Sequence, residues 1–165
     1  MTSASNKPDL RRIGETAFTE VLGILLSLKA TVQESADDSP LSDAPDPITS
    51  SVTLTCQRLS GSVHVQLPRA FVAHAVRLLT GLDGGAGNAH ELQDDAAGEL
   101  ANMVAGRVAA QLATDGYPCK LGTPSVSRTA RLPTEIRAGL HHGRTDLVCE
   151  GYALSLELHC RFAAL

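Results

Sequence analysis

Apolar residues along the chain recur with two different periods, and the changes of period divide it into elements. From Leu10, the positions Leu10, Ile13, Ala17, Val21, Ile24, Leu25 and Leu28 repeat at helical spacing, which predicts a first helix with one core-facing stripe. Val52, Leu54 and Cys56 then alternate with Thr53, Thr55 and Gln57, and Val63, Val65 and Leu67 alternate with His64 and Gln66. Period two marks strands with one apolar and one polar face, and Ser60-Gly61 between them predicts a hairpin turn. Pro68 opens a second helix where its missing N–H costs nothing. Phe71, Val72, Ala75, Leu78 and Leu79 give that helix a core face, and Gly81 stops it.

Gly84 to Asn88 reads as a flexible link. A longer helical pattern follows over Leu92–Ala113. After Gly116 the chain returns to strands. Tyr117–Ser127 is one, Leu132–Arg144 is a poorly patterned excursion, and Thr145–Phe162 supplies one long strand or two short ones. In its last part Tyr152, Leu154, Leu156, Leu158, Cys160 and Phe162 alternate with Ser155, Glu157, His159 and Arg161. The order helix, two strands, two helices, then about three strands predicts an α+β fold. It is a two-layer sandwich, with helices on one face of an antiparallel sheet whose other face is wet.

Residues 1–9 are small and polar and predict a flexible N-terminus ahead of a single domain over 10–165. Residues 35–47, SADDSPLSDAPDP, are acidic and Pro-rich with almost no large apolar side chain, the composition of a mobile loop.

The long helix carries the candidate chemistry. On a wheel of about 100° per residue, Leu100, Val104, Ala97, Val108, Ala101, Leu112 and Ala105 form one apolar arc. Asp95, Glu99, Asn102 and Gly106 fall within roughly 60° on the opposite side. An acid and a carboxamide at i and i+3 are neighbours there. Gly98 and Gly106 each weaken the helix by about 1 kcal/mol relative to Ala. Missing side chains beside polar ones leave room for close approach. A bare E-x-x-N on a helix is nonetheless most often a plain solvated face.

Composition narrows the remaining choices. A formal net charge of −4, no window dense in Lys or Arg, three Phe, two Tyr and no Trp argue against a nucleic-acid surface. The longest apolar run, Val21–Leu28, is far short of a membrane span, so no membrane partner is expected. Cys56, Cys119, Cys149 and Cys160 show no C-x-x-C spacing, and with no secretory signal they read as buried free thiols in a reducing cytoplasm. His141-His142 is the most tempting metal pair, but adjacent residues on an extended segment point to opposite faces, so no metal site is expected. His64, His74 and His159 read as lone surface histidines. No G-x-S-x-G elbow and no glycine-rich phosphate loop occurs.

The string Asp95-x-x-Gly98-Glu99-x-x-Asn102-Met103-x-x-Gly106 resembles the signature helix of the CheC/CheX/FliY family of chemotaxis phosphatases. Around it, Glu15–Leu28 is similar to the family's N-terminal helix. Gly61-Ser62-Val63-His64-Val65-Gln66-Leu67-Pro68 is similar to the strand entering the preceding helix, and Leu121-Gly122-Thr123-Pro124-Ser125-Val126 to the strand that follows the signature helix. The resemblance runs from about Leu10 to the C-terminus. A single E-x-x-N points to the CheX branch. The chain departs from the pattern after Val126, where Ser127-Arg128-Thr129-Ala130-Arg131 stands in place of an expected glycine.

The resemblance implies a phosphatase acting on the phospho-aspartate of a CheY-like receiver domain. It implies that Asn102 orients the attacking water and that Glu99 pairs with the receiver's active-site lysine. Asp95 matches the motif as a helix cap or receptor contact. The chain would need no cofactor of its own, because Mg²⁺ comes with the receiver. The CheX branch pairs through its sheets, so a homodimer is expected, with the long C-terminal strand as the pairing edge. The alternative is a non-catalytic module of the same fold that binds a receiver or a flagellar switch component.

Overall fold

Asp9 accepts a hydrogen bond from the Arg12 N–H at 3.1 Å, and the first helix, α1 (Leu10–Leu26), begins at that cap. The computed structural model describes residues 7–34, 46–83, 89–128 and 140–163. After α1 come β1 (Ala30–Gln33), β2 (Pro47–Cys56), β3 (Leu59–Pro68), α2 (Arg69–Thr80), α3 (Ala89–Thr114), β4 (Lys120–Leu121), β5 (Ser125–Ser127), β6 (His141–Cys149) and β7 (Tyr152–Phe162). The strands form one sheet in the order β1-β6-β7-β3-β2-β4, with β5 also on β2, and all its pairings are antiparallel. The expected two-layer α+β sandwich is the observed architecture.

The core lies between the helices and one sheet face. β7 contributes Leu154, Leu156 and Leu158, β3 contributes Val63, Val65 and Leu67, and β2 contributes Ile48, Val52 and Leu54, all buried. Two glycines set how closely α1 approaches. A Cβ on Gly14 would stand 2.7 Å from the Leu156 side chain, and one on Gly143 in β6 would stand 2.6 Å from the Leu10 carbonyl carbon. Absent side chains at both points let the helix lie directly on β6 and β7.

Several sequence expectations shift by local amounts. The β2–β3 turn is Gln57-Arg58, since Cys56 pairs with Leu59, and Ser60-Gly61 lies inside β3. A Cβ on Gly61 would meet the His159 carbonyl oxygen of β7, so that glycine serves strand approach and not a turn. β2 starts at Pro47, which removes that residue from the 35–47 loop; the rest of the loop, apart from Asp46, lies outside the described residues, as do 1–6 and the 84–88 link. β1 was not legible, having only Ala30 and Val32 as alternating apolar positions. The single strand expected over Tyr117–Ser127 is two short ones, separated at Gly122-Thr123-Pro124. Of the excursion expected over Leu132–Arg144, His141–Arg144 belong to β6 and 132–139 lie outside the described residues.

In α1, Phe18 and Leu22 are buried while Ile24 is 62% exposed, because the buried arc runs through Gly14 and Phe18 and leaves Ile24 on its rim. In α2, Val76 is buried, whereas Leu78 and Leu79 are exposed in a last turn that runs past the core. β7 lies between β6 and β3, so the C-terminal strand is not a free edge; in this sheet β1 is one.

The largest correction concerns the middle of the sheet's polar face, which is buried, while Thr53, His142 and Arg161 toward its margins are exposed. Register aligns three cross-strand rows on it. His142, His159 and Ser62 form the first; Arg144, Glu157, His64 and Ser51 the second; Asp146, Ser155, Gln66 and Thr49 the third. His64, Gln66, Arg144, Ser155, Glu157 and His159 are all buried. These groups pair with one another, which is what buried polar groups require. Arg144 donates to Asp146 at 3.2 Å and Ser155 to the same carboxylate at 2.7 Å. The His64 ring nitrogens meet Ser51 Oγ at 2.7 Å and Ser62 Oγ at 2.6 Å.

Candidate functional site on helix α3

Helix α3 presents its candidate residues as its periodicity predicts. Ala97, Leu100, Ala101, Val104, Ala105, Val108 and Leu112 are buried, while Asp95 and Glu99 are exposed and Asn102 is half-buried. The split follows from 3.6 residues per turn: one arc faces β2 and β3, and the opposite arc cannot.

α1, α2 and β5 flank the helix. On one side it runs antiparallel to α1, whose Arg12 and Thr16 share a cleft with Gln111 and Thr114, and Arg107 stands 3.7 Å from Glu20. On the other side lies β5. A Cβ on Gly98 would be 3.8 Å from Pro124 and 3.7 Å from Val126, so Gly98 is covered and offers no room for an outside molecule. Arg128 donates to Asp94 Oδ1 at 2.7 Å and to the His90 carbonyl at 3.4 Å. The residue that departs from the family pattern thus ties the end of β5 to the first turns of α3. That role was not visible in sequence, because Arg128 and Asp94 are 34 positions apart.

Asp95, Glu99 and Asn102 make no hydrogen bond or ion pair with the described residues. Their polar atoms are available to an incoming molecule. A carboxamide both donates and accepts but has no protonation near neutral pH, so it fixes the position of a polar molecule and does not act as a base. An exposed carboxylate attracts a cation with a strength that depends on how far a partner excludes water. The arc has the groups to position and pair, and no hydrogen bond or ion pair among the described residues engages their side chains.

The remaining chemistry-bearing residues lie elsewhere. His141 and His142 point to opposite faces of β6: the His141 ring packs on Phe162 and contacts Lys7, and the His142 ring packs on His159 at 5.2 Å. His64 and His159, expected at the surface, are buried in the polar layer. Burial, and next the neighbouring His159, lower the His64 pKa from 6.5 to about 4. All four cysteines are free, but only Cys149 and Cys160 are buried; Cys56 and Cys119 are half-buried. Burial, followed by the hydrogen-bonding Cys56 thiol, raises Cys119 to about 12, and burial raises Cys160 to about 12. A cleft of about 670 Å³ beyond the C-terminal end of α3 is lined by Thr55, Cys56, Gln57, Arg58, Gly116, Pro118 and Lys120 and includes no residue of the Glu99 arc. Among the described residues, no group of three or more His, Cys, Asp or Glu could hold a metal ion, and no helix is long and apolar enough to cross a membrane.

Comparison with known proteins places these features. A family model described as chemotaxis phosphatase CheX matches residues 48–142, which include β2, β3, α2 and all of α3. No curated protein sequence matches significantly. The chemotaxis protein CheX of Vibrio vulnificus superposes with a TM-score of 0.77 at 16% identity, covering 93% of this chain and 100% of that one. The CheX of Desulfovibrio desulfuricans gives 0.75 at 17% identity, covering 93% and 100%. A CheX–CheY–BeF₃–Mg²⁺ complex from Borrelia burgdorferi gives 0.71 at 13% identity, covering 94% and 99%.

Proposed function

The chain belongs to the chemotaxis phosphatase CheX family, and from that premise we propose that it hydrolyses the phospho-aspartate of a CheY-like receiver domain in the cytoplasm. The observation that carries this reading is the outward arc of α3, where Glu99 and Asn102 stand one turn apart with no side-chain partner among the described residues. The Borrelia burgdorferi complex, in which a CheX binds a CheY, supports a receiver as the partner.

Asn102 enters the receiver's active site. Its side-chain oxygen accepts from a water and holds the oxygen of that water in line with the phosphorus–oxygen bond to aspartate. The water oxygen bonds to phosphorus as that bond breaks, the aspartate leaves as a carboxylate, and both of the water's protons leave with the inorganic phosphate as dihydrogen phosphate. Phosphoryl transfer of this kind depends mostly on positioning and electrostatics, so one well-placed amide suffices without a general base. Glu99 pairs with the receiver's active-site lysine and fixes the docking register. Mg²⁺ arrives with the receiver and neutralises charge on the phosphoryl oxygens. The chain functions as a homodimer.

Phosphate release from a phosphorylated CheY-like receiver in Mg²⁺, with and without the chain, tests the reading. Accelerated release is expected. A receiver that binds the chain but loses phosphate at its intrinsic rate overturns the phosphatase reading in favour of a docking module.

A further inference from the structure

Gly106 lies one turn beyond Asn102 on the outward arc of α3, and no contact among the described residues explains why it is glycine. Several other glycines have evident causes. Gly81, Gly116 and Gly151 hold φ angles of 72°, 90° and 79°. Gly14, Gly61, Gly122 and Gly143 face chain atoms where a Cβ would stand, whereas Gly98 and Gly23 would put a Cβ in ordinary van der Waals contact, at 3.7 and 4.0 Å. Among the described residues a Cβ on Gly106 would meet nothing within 4 Å, and its backbone is ordinary helix. Glycine there weakens the helix relative to alanine, with no packing gain to offset it.

The direction of helical side chains gives the position a meaning. The Cα–Cβ bond leans toward the helix N-terminus, so a residue covers the surface over the turn before its own. The side chain that would lie across the Asn102 amide is therefore the one at 106. We infer that Gly106 is a positioning and specificity residue for the receiver: its missing side chain leaves Asn102 uncovered and lets the loops around the receiver's phosphorylated aspartate close directly on the helix. This inference rests on the receiver-phosphatase reading and names the contact that reading requires.

The same geometry assigns different duties to neighbouring positions. Asn102 acts on the reacting water, and its loss lowers turnover. Gly106 touches no reacting atom, and filling it obstructs approach, which raises KM and weakens binding before it changes the chemistry.

Gly106→Ala and Gly106→Leu test this with two readouts: melting temperature, and affinity for CheY-like receiver domains of the source organism loaded with Mg²⁺ and beryllofluoride. Both variants are expected to melt at or above the wild-type temperature, because both residues form helix better than glycine. Affinity should fall with side-chain size, slightly for Ala and by roughly tenfold or more for Leu, as for a steric block built into an interface. A folded Gly106→Leu protein that binds as tightly as the wild type overturns the inference, and so does a wild type that binds none of these receivers. Wild-type binding that is lost in Gly106→Leu but never accelerates phosphate release supports the contact and removes the phosphatase reading, so the two failures are distinguishable.

Discussion

His159 Nε2 lies 2.8 Å from Glu157 Oε2, two residues away on β7, and the side chains are 0% and 1% exposed. The pair lies within hydrogen-bond distance, and the other ring nitrogen, Nδ1, has no partner among the described residues. Removing the carboxylate would orphan the whole ring. Glu157→Ala is expected to destabilise the fold by about 2–4 kcal/mol, while Glu157→Gln, which keeps an acceptor, should cost less than half of that. Urea unfolding of the two variants measures the difference.

The same layer makes stability depend on pH. Burial and the His159 ring hold folded His64 at about 4, against 6.5 in an unfolded chain. As pH falls, the unfolded state takes the proton first. The contribution is therefore intact above about pH 6.5, declines between 6.5 and 4, and is fully lost below. At pH 5 the loss from this one residue is about 2 kcal/mol. His64→Gln should show a correspondingly flatter stability profile between pH 7 and 5 in urea titrations. An unchanged slope would remove His64 as the source.

Asn102→Ala should lower receiver dephosphorylation by roughly 100-fold, equivalent to about 2.7 kcal/mol of transition-state stabilisation. Stability should change by less than about 0.5 kcal/mol, since the side chain makes no hydrogen bond among the described residues. Glu99→Ala should differ in kind, raising KM as well as lowering turnover. Its deficit should shrink as salt screens the wild-type ion pair. An Asn102→Ala protein that works at the wild-type rate would leave the arc as a docking surface.

A homodimer is expected to run at twice the 17.3 kDa of the chain in light scattering at tens of micromolar. With β7 interior, the edge available for sheet pairing at that side is β1. A charge placed there, as in Thr31→Lys, should shift the population toward monomer if the copies pair through it.

What the sequence determined by itself is what depends on neighbours along the chain. The two arcs of α3 follow from helical pitch alone, so the burial of Leu100 and Val104 and the outward placement of Glu99 and Asn102 were legible before any coordinates. The alternation of β7 likewise told which residues share a face. It could not tell that His64, Glu157 and His159 on the polar face are buried, because their neighbours depend on strand order: His142, His159 and His64 meet only because β7 runs between β6 and β3. The turn at Gln57-Arg58 was misplaced for a related reason. Gly61 reads as a turn residue locally, yet it is required by the approach of β7, a strand about a hundred residues away in sequence. Gly98 and Gly106 both read in the sequence as room for close approach. Tertiary packing separates them, covering the first with Pro124 and Val126 and leaving no described atom within 4 Å of a Cβ on the second, because a helix sets the direction of its side chains while the elements packed around it decide which of those directions stay free.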